Sequence, residues 1–241
     1  MVVLITGASK GIGQATAVKF AKEGYNVVVN YFSYFDGALA TKQLVEKYNV
    51  ECMIYKCDVS KEHEVKDMID NIILKFGKID CVVNNAGIAI DTLPLEKNID
   101  DFKRTLDVNV IGVYLVSKYA SKYMDKGSII NISSTNGLNS YYPYSLDYDA
   151  SKAGVISLTH NFATLLAPNI RVNAVTPGWV NTEMNKELDE DYIKEECKNI
   201  FLNRFAEPVE VANVIYFLAS SESSYINNSI IRVDGGLNGS C

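Results

Sequence analysis

Short apolar runs recur along this chain, separated by longer stretches in which apolar positions return every three or four residues. Residues 2–6, 26–31, 52–57, 81–84, 128–133, 170–175 and 230–233 are rich in Val and Ile and almost continuously hydrophobic. Runs of that length and composition predict strands covered on both faces. Helical periodicity predicts helices over 13–23, closed by Gly24, over 37–48, and over 61–76, with Ser60 as N-cap and Gly77 beyond the end. The longest helical stretches are 100–124 and 147–167, and 208–220 is the last clear one. Strand and helix alternate throughout, which implies βαβ units with right-handed crossovers and a parallel sheet. No Pro- or Ser-rich linker, repeat or low-complexity tract divides the chain. The expected fold is α/β: a single doubly wound Rossmann-type domain over 1–241, with a parallel seven-stranded sheet flanked by helices.

One pair of residues on the 147–167 helix carries chemistry. Tyr148 and Lys152 stand four apart in Tyr148-Asp149-Ala150-Ser151-Lys152. On a helix that spacing stacks both side chains on one face. A free phenol has a pKa of about 10, and an adjacent ammonium favours the phenolate. The expectation is that Lys152 lowers the Tyr148 pKa, so that Tyr148 acts as a general acid or base near neutral pH. With fifteen tyrosines in the chain, the pair gains weight only from its company. Thr6-Gly7-Ala8-Ser9-Lys10-Gly11-Ile12-Gly13 lies between the first strand and the first helix. Glycines there let the backbone turn tightly and approach a ligand, and a helix N-terminus offers free N–H groups to a pyrophosphate. The Gly-x-x-x-Gly-x-Gly spacing lacks the Gly-Lys-Ser/Thr ending of a nucleotide-hydrolase loop, which favours a dinucleotide over ATP. Asn84-Asn85-Ala86-Gly87 follows the fourth strand, where a doubly wound sheet borders its ligand crevice, although Asn-Gly segments also serve ordinary turns.

These motifs, with Pro177-Gly178-x-x-x-Thr182 and Asp234-Gly235-Gly236, resemble those of the short-chain dehydrogenase/reductase family in order and spacing from residue 2 to about residue 237. The resemblance implies hydride transfer between a nicotinamide and a carbonyl or alcohol. It implies catalytic roles for Tyr148, Lys152, Ser134 and Asn109, the last as holder of a water that links Lys152 to solvent. Ser134 is fourteen residues before Tyr148 and Ser133 fifteen, and Ser134 is favoured for hydrogen bonding to the substrate oxygen. The implied cofactor contacts are Gly7, Ser9, Lys10, Gly11, Ile12 and Gly13 in the loop; Asn30, Tyr31 and Ser33 after the second strand; Asp58 and Val59 after the third; Asn85, Ala86 and Gly87 after the fourth; Tyr148 and Lys152; and Pro177, Gly178, Val180 and Thr182 beside the nicotinamide. Relatives that prefer NAD usually carry an acidic residue after the second strand. This chain reads Val29-Asn30-Tyr31-Phe32-Ser33 and has no carboxylate there until Asp36, while Lys10 and Ser33 could face a 2′-phosphate. NADP(H) is therefore favoured over NAD(H).

The pattern is most similar to the 3-oxoacyl-[acyl-carrier-protein] reductase branch, which implies an acyl-thioester carbonyl substrate. A sugar, polyol or small ketone is the alternative, and a non-catalytic dinucleotide-binding regulator is the reading of another class. The expected lid, 182–203, carries Glu183, Glu187, Asp189, Glu190, Asp191, Glu195 and Glu196, which would repel an acidic carrier protein. The polar, aromatic loop 135–147 is expected to wall the substrate pocket. The 100–124 and 147–167 helices resemble those that relatives pair about a two-fold axis, so a homotetramer, or homodimer, is expected. Near Tyr225-Ile226-Asn227-Asn228-Ser229, where the family usually has glycine, Asn228 is expected to keep a positive φ.

Composition narrows the classes further. Of 241 residues 48% are hydrophobic, and mean hydropathy is near zero, as in a globular protein with ample core. The net charge is -6 and no basic cluster exists, which argues against nucleic acid or an anionic membrane as partner. The start has no charged n-region before Gly7, and no apolar run approaches the ~20 residues of a membrane span. Five cysteines, at 52, 57, 81, 197 and 241, lack Cys-x-x-Cys spacing and have only two histidines for company. Reduced thiols, a cytoplasmic location and no metal site are the expectations, with Cys241 exposed.

Overall fold

The structure is a computed structural model and describes residues 1–185 and 188–237; Glu187 and Cys241 lie outside the described residues. Seven strands, β1 (Val2–Ile5), β2 (Asn26–Tyr31), β3 (Cys52–Lys56), β4 (Cys81–Asn84), β5 (Gly127–Ile132), β6 (Ile170–Pro177) and β7 (Ile230–Val233), form one sheet in the order β3-β2-β1-β4-β5-β6-β7. Every pairing is parallel. The order reverses between β1 and β4, and their carboxyl ends therefore open a crevice at the top of the sheet.

Period-two alternation divides the core. Val3, Ile5, Val27, Val29 and Val83 face one side, where α1 (Gly11–Lys22), α2 (Phe35–Glu46) and α8 (Pro208–Ala219) cover them. Val2, Leu4, Val28, Val82 and Ile129 face the other, under α3 (Glu62–Phe76), α5 (Gly112–Ala120) and α6 (Leu146–Leu165). On α3 the buried positions Val65, Met68, Ile69 and Ile72 make one apolar stripe. On the opposite face Phe20 is fully buried and meets the edges of Tyr25 and Tyr216 at 5.0 and 5.4 Å between ring centroids. Burying a side chain of this size contributes roughly 1.5–3 kcal/mol.

Several boundaries differ from the sequence expectation. The 100–124 stretch is not one regular helix. It runs as α4 (Ile99–Leu106), a π-helical turn (Asp107–Ile111), α5 and a short 3₁₀ turn (Ser121–Tyr123). Ser60 does not cap α3. The N-cap is Lys61, and Ser60 instead donates its N–H and hydroxyl to Asp58 at 3.0 and 2.7 Å. An aspartate two residues back competes for the serine as an Asx turn and wins. An eighth helix, α7 (Glu190–Lys198), lies in the segment expected to form a lid. Asn228 has φ 61°, as expected, and its side chain meets His160 Nδ1 at 2.5 Å.

Candidate active site

The ends of β1 and β4 are clasped by side-chain hydrogen bonds. Thr6 Oγ1 accepts from the N–H groups of Asn85 and Ala86, both at 3.0 Å. Asn85 Nδ2 donates to the carbonyls of Thr6 and Gly7 at 2.9 and 3.0 Å. Gly7 N donates to Asn30 Oδ1 at 3.2 Å, and Asn30 Nδ2 reaches the Cys57 carbonyl at 3.0 Å. Gly7 has φ 62°, and a Cβ there would come within 2.9 Å of Ala86 Cα. At Gly13 a Cβ would lie 2.5 Å from the Gly7 carbonyl. Only glycine permits this closeness of loop, helix and strand.

Above the clasp runs a cleft of about 980 Å³. It starts at the glycine loop, passes Asn30 to Tyr34 and Asp58, and ends beside Ser134, Tyr148 and Lys152. Of the sequence-predicted cofactor positions, all but Gly13 line it. Gly13 packs beneath the loop. Asn30 and Asn85 border the cleft, but their amides are spent on the backbone. The length of the cleft, its glycine cradle and the backbone N–H groups at the start of α1 fit a dinucleotide.

At the far end, Tyr148 and Lys152 lie on α6, next to the carboxyl end of β5. Lys152 is buried and Tyr148 half-buried. The Ser134 hydroxyl hydrogen-bonds to Tyr148, whereas Ser133 Oγ donates to the Lys152 carbonyl at 2.7 Å. Lys152 Nζ donates to the Ile132 carbonyl at 2.9 Å and sits 5.3 Å from the Tyr148 ring centroid. Asn109, fully buried in the π turn, lies behind the cleft. Its amide donates to the Ile88 carbonyl and to Ser151 Oγ, both at 2.9 Å, and accepts from Ile88 N at 2.8 Å. A Cβ on Gly87 would lie 3.4 Å from both Asn109 Oδ1 and Lys152 Nζ. The π turn swings Asn109 to this junction, as such turns often do at functional positions.

The proton balance differs from the sequence expectation. Burial pushes the Tyr148 phenol up to about 12, against a smaller lowering by the Ser134 hydroxyl. Burial also pulls the Lys152 ammonium down to about 8. The lowering expected from Lys152 does not appear: loss of water raises the phenol, and the ammonium is directed to the Ile132 carbonyl.

The structure adds residues that the sequence gave no reason to single out. Arg104 of α4 pairs with Asp58 at 3.0 Å, donates to Ser60 Oγ and lies over the Phe32 ring at 5.7 Å. Burial raises the Asp58 carboxyl, yet Ser60 and Arg104 hold it below the ordinary carboxylate range. On the substrate side Trp179 stacks on Phe205 at 5.3 Å and donates to Glu196 at 3.0 Å. Tyr192 is pushed up to about 12, first by burial and then by Glu196, Tyr142 and Asp91 around it. Tyr141, Tyr142 and Ser145 line the same end, where the sequence expected the 135–147 loop to wall the pocket. Among the described residues no cluster of His, Cys, Asp and Glu could hold a metal.

A family model described as Enoyl-(Acyl carrier protein) reductase matches residues 7–238. The 3-oxoacyl-[acyl-carrier-protein] reductase FabG of Thermotoga maritima is 41% identical over 240 residues, covering 98% of this chain and 97% of that protein. Glucose 1-dehydrogenase 2 of Bacillus subtilis is 37% identical over 241 residues, covering 97% and 93%. A short-chain dehydrogenase/reductase variant from Serratia marcescens superposes with a TM-score of 0.93 at 32% identity, covering 98% of this chain and 96% of that one.

The Lys152 shift predicts a pH dependence of stability. The folded-state pKa lies below the ordinary value of 10.5, so the unfolded chain binds more protons between about 8 and 10.5. The group's contribution is fully present above the unfolded value and lost as pH falls through 8. In denaturant titrations of the protein without cofactor, wild type should gain stability relative to Lys152→Met as pH rises from about 8 to 10; a difference flat in pH contradicts it.

Proposed function

Because the chain belongs to the short-chain dehydrogenase/reductase family, we propose that it reduces the 3-oxo group of an acyl thioester to the hydroxyl, using NADPH. Membership itself makes it an oxidoreductase that interconverts a carbonyl and an alcohol with a nicotinamide dinucleotide. The observation that carries this reading is the hydrogen-bonded Ser134–Tyr148 pair at the end of the cleft, where a phenol could donate its proton to a carbonyl oxygen.

The loop Gly7 to Gly13 and the α1 N-terminus would hold the pyrophosphate, with Ser9, Gly11 and Ile12 facing it. Tyr31, Ser33, Asp58 and Val59 would border the adenosine. Ala86, Gly87, Pro177, Gly178, Val180 and Thr182 would flank the nicotinamide, and Lys152 would bond its ribose. When bound, the dinucleotide supplies the hydride. Ser134 then fixes the substrate oxygen and Tyr148 gives it a proton. Lys152 and Asn109 lie on the inner side of Tyr148, where reprotonation from solvent would pass.

NADPH is favoured over NADH by the cleft's adenosine end. Lys10, Ser33 and Arg104 line it, and Asp36 lies on α2 outside the lining. A 2′-phosphate would meet Lys10 and Ser33 there, the Asp58 carboxylate at that end being already paired with Arg104. The thioester substrate is supported by the 3-oxoacyl reductase relatives. A neutral hydroxylated ketone or sugar is the second reading, favoured by Asp91 and Glu196 at the aromatic substrate end, where carboxylates would accept hydroxyl hydrogen bonds and repel an acidic carrier. The whole chain would act as one domain in the cytoplasm; no helix among the described residues is long and apolar enough to cross a membrane. Assembly as a homotetramer or homodimer is supported by Ile111, Tyr114 and Leu165, exposed on the π turn, α5 and α6.

Tyr148→Phe should keep NADPH affinity and lose turnover of a 3-oxoacyl thioester by a factor on the order of 10²–10⁴ in steady-state assays; full turnover would refute the acid role. Lys10→Ala should lower the NADPH:NADH ratio of dissociation-derived affinities by about tenfold, the weight of one charge-assisted hydrogen bond. A ratio equal to wild type would remove Lys10 from the phosphate site.

A further inference from the structure

Asp147 immediately precedes Tyr148 in the first turn of α6 and is completely buried. A carboxylate in that position needs a partner. The partner comes from the segment between β4 and α4: Lys97 Nζ lies 2.9 Å from Asp147 Oδ1, with its own side chain only 6% exposed. Lys97 also donates to the Ile90 carbonyl. Burial alone would raise the Asp147 carboxyl, but the buried Thr105 hydroxyl and the Lys97 ammonium beside it hold it below the ordinary carboxylate range.

Two further bonds join the same pair of segments. Thr92 N donates to the Tyr144 carbonyl at 3.0 Å, and Ser145 Oγ donates to Asp91 Oδ1. One strip of chain, Ile88 to Asp91, lines the cleft and is tied through Ile88 to Asn109. The other, Tyr141 to Ser145, lines it opposite and leads directly into Tyr148. Lys97 is not among the residues that line the cleft. Its one ammonium joins the first strip, by Ile90, to the residue that opens the turn of Tyr148.

We propose that the Lys97–Asp147 ion pair is a latch that fixes the first turn of α6 against the 88–97 segment and thereby positions the Tyr148 hydroxyl for proton transfer. Lys97 and Asp147 are positioning residues. Without the latch the first turn of α6 loses its one ion pair to the 88–97 segment and keeps Thr92–Tyr144 and Ser145–Asp91 on that side, with Asn136 and Tyr142 N on Asp149 on the other; small displacements of a proton donor are costly to turnover, up to about 10²-fold for 1 Å. Substrate and cofactor binding, which draw on many other contacts, are little affected.

This rests on the acid role given to Tyr148 above, so wild type, Tyr148→Phe, Lys97→Met and Lys97→Met/Asp147→Leu are assayed together. Lys97→Met leaves a buried carboxylate unpaired and should lower both Tm and kcat. The double variant replaces the pair with apolar volume and should recover most of the Tm. It should nonetheless keep kcat at least about tenfold below wild type, with KM and the NADPH dissociation constant within about twofold. A double variant with wild-type kcat, beside an inactive Tyr148→Phe, overturns the latch and leaves the tyrosine assignment standing. A fully active Tyr148→Phe overturns the tyrosine assignment itself. Should the double variant not fold, Asp147→Asn reads the same claim, since it removes the charge that holds the Lys97 ammonium while keeping the side chain's volume. It should lower kcat several-fold at constant KM, and an unchanged kcat overturns the latch.

Discussion

Desolvation at the carboxyl end of β5 governs this site. Lys152 is buried with its ammonium directed to the Ile132 carbonyl at 2.9 Å. Tyr148, one turn earlier on α6, stands half-buried beside it, packed among protein atoms at the cleft wall. Loss of water disfavours charge on both groups, so the phenol moves up and the ammonium moves down. The surroundings follow from keeping that corner dry and ordered. Ser133 ties the Lys152 backbone to β5, Asn109 ties Ser151 to the segment after β4, and Gly87 leaves room for Asn109 and Lys152 to approach.

The scaffold supplies this corner by a division of labour among amides. Asn30 and Asn85 spend their side chains on backbone groups, and Asn109 divides its amide between the Ile88 backbone and the Ser151 hydroxyl. They close the gaps where parallel strands end and the sheet can no longer satisfy its own N–H and C=O groups. The cleft floor is therefore rigid backbone. The rim is built differently: aromatic rings and carboxylates from the 135–147 loop, the segment after β4 and α7 gather there.

Much of this was legible in the chain. Apolar runs located all seven strands, because strands covered on both faces cannot hide their hydrophobicity. Glycine spacing located the loop above β1, and the Tyr148–Lys152 spacing located the proton-handling pair. Other features were not legible, for separate physical reasons. The π turn at Asp107–Ile111 inserts no distinctive residue and only shifts the period, so Asn109 looked like part of a regular helix. Helix α7 has no buried residue and so lacks apolar periodicity. Lys97 and Asp147 are fifty residues apart, and each alone reads as a solvated charge. The direction of the Tyr148 shift depends on burial, which spacing does not report.

The central claim is that burial, rather than the neighbouring ammonium, sets the proton affinity of Tyr148. The most direct test is an ultraviolet difference titration of wild type against Tyr148→Phe, both without cofactor, following phenolate absorbance. The account predicts that the phenolate assigned to Tyr148 appears only well above pH 10. A transition near pH 7 would mean that the ammonium dominates, and would contradict it.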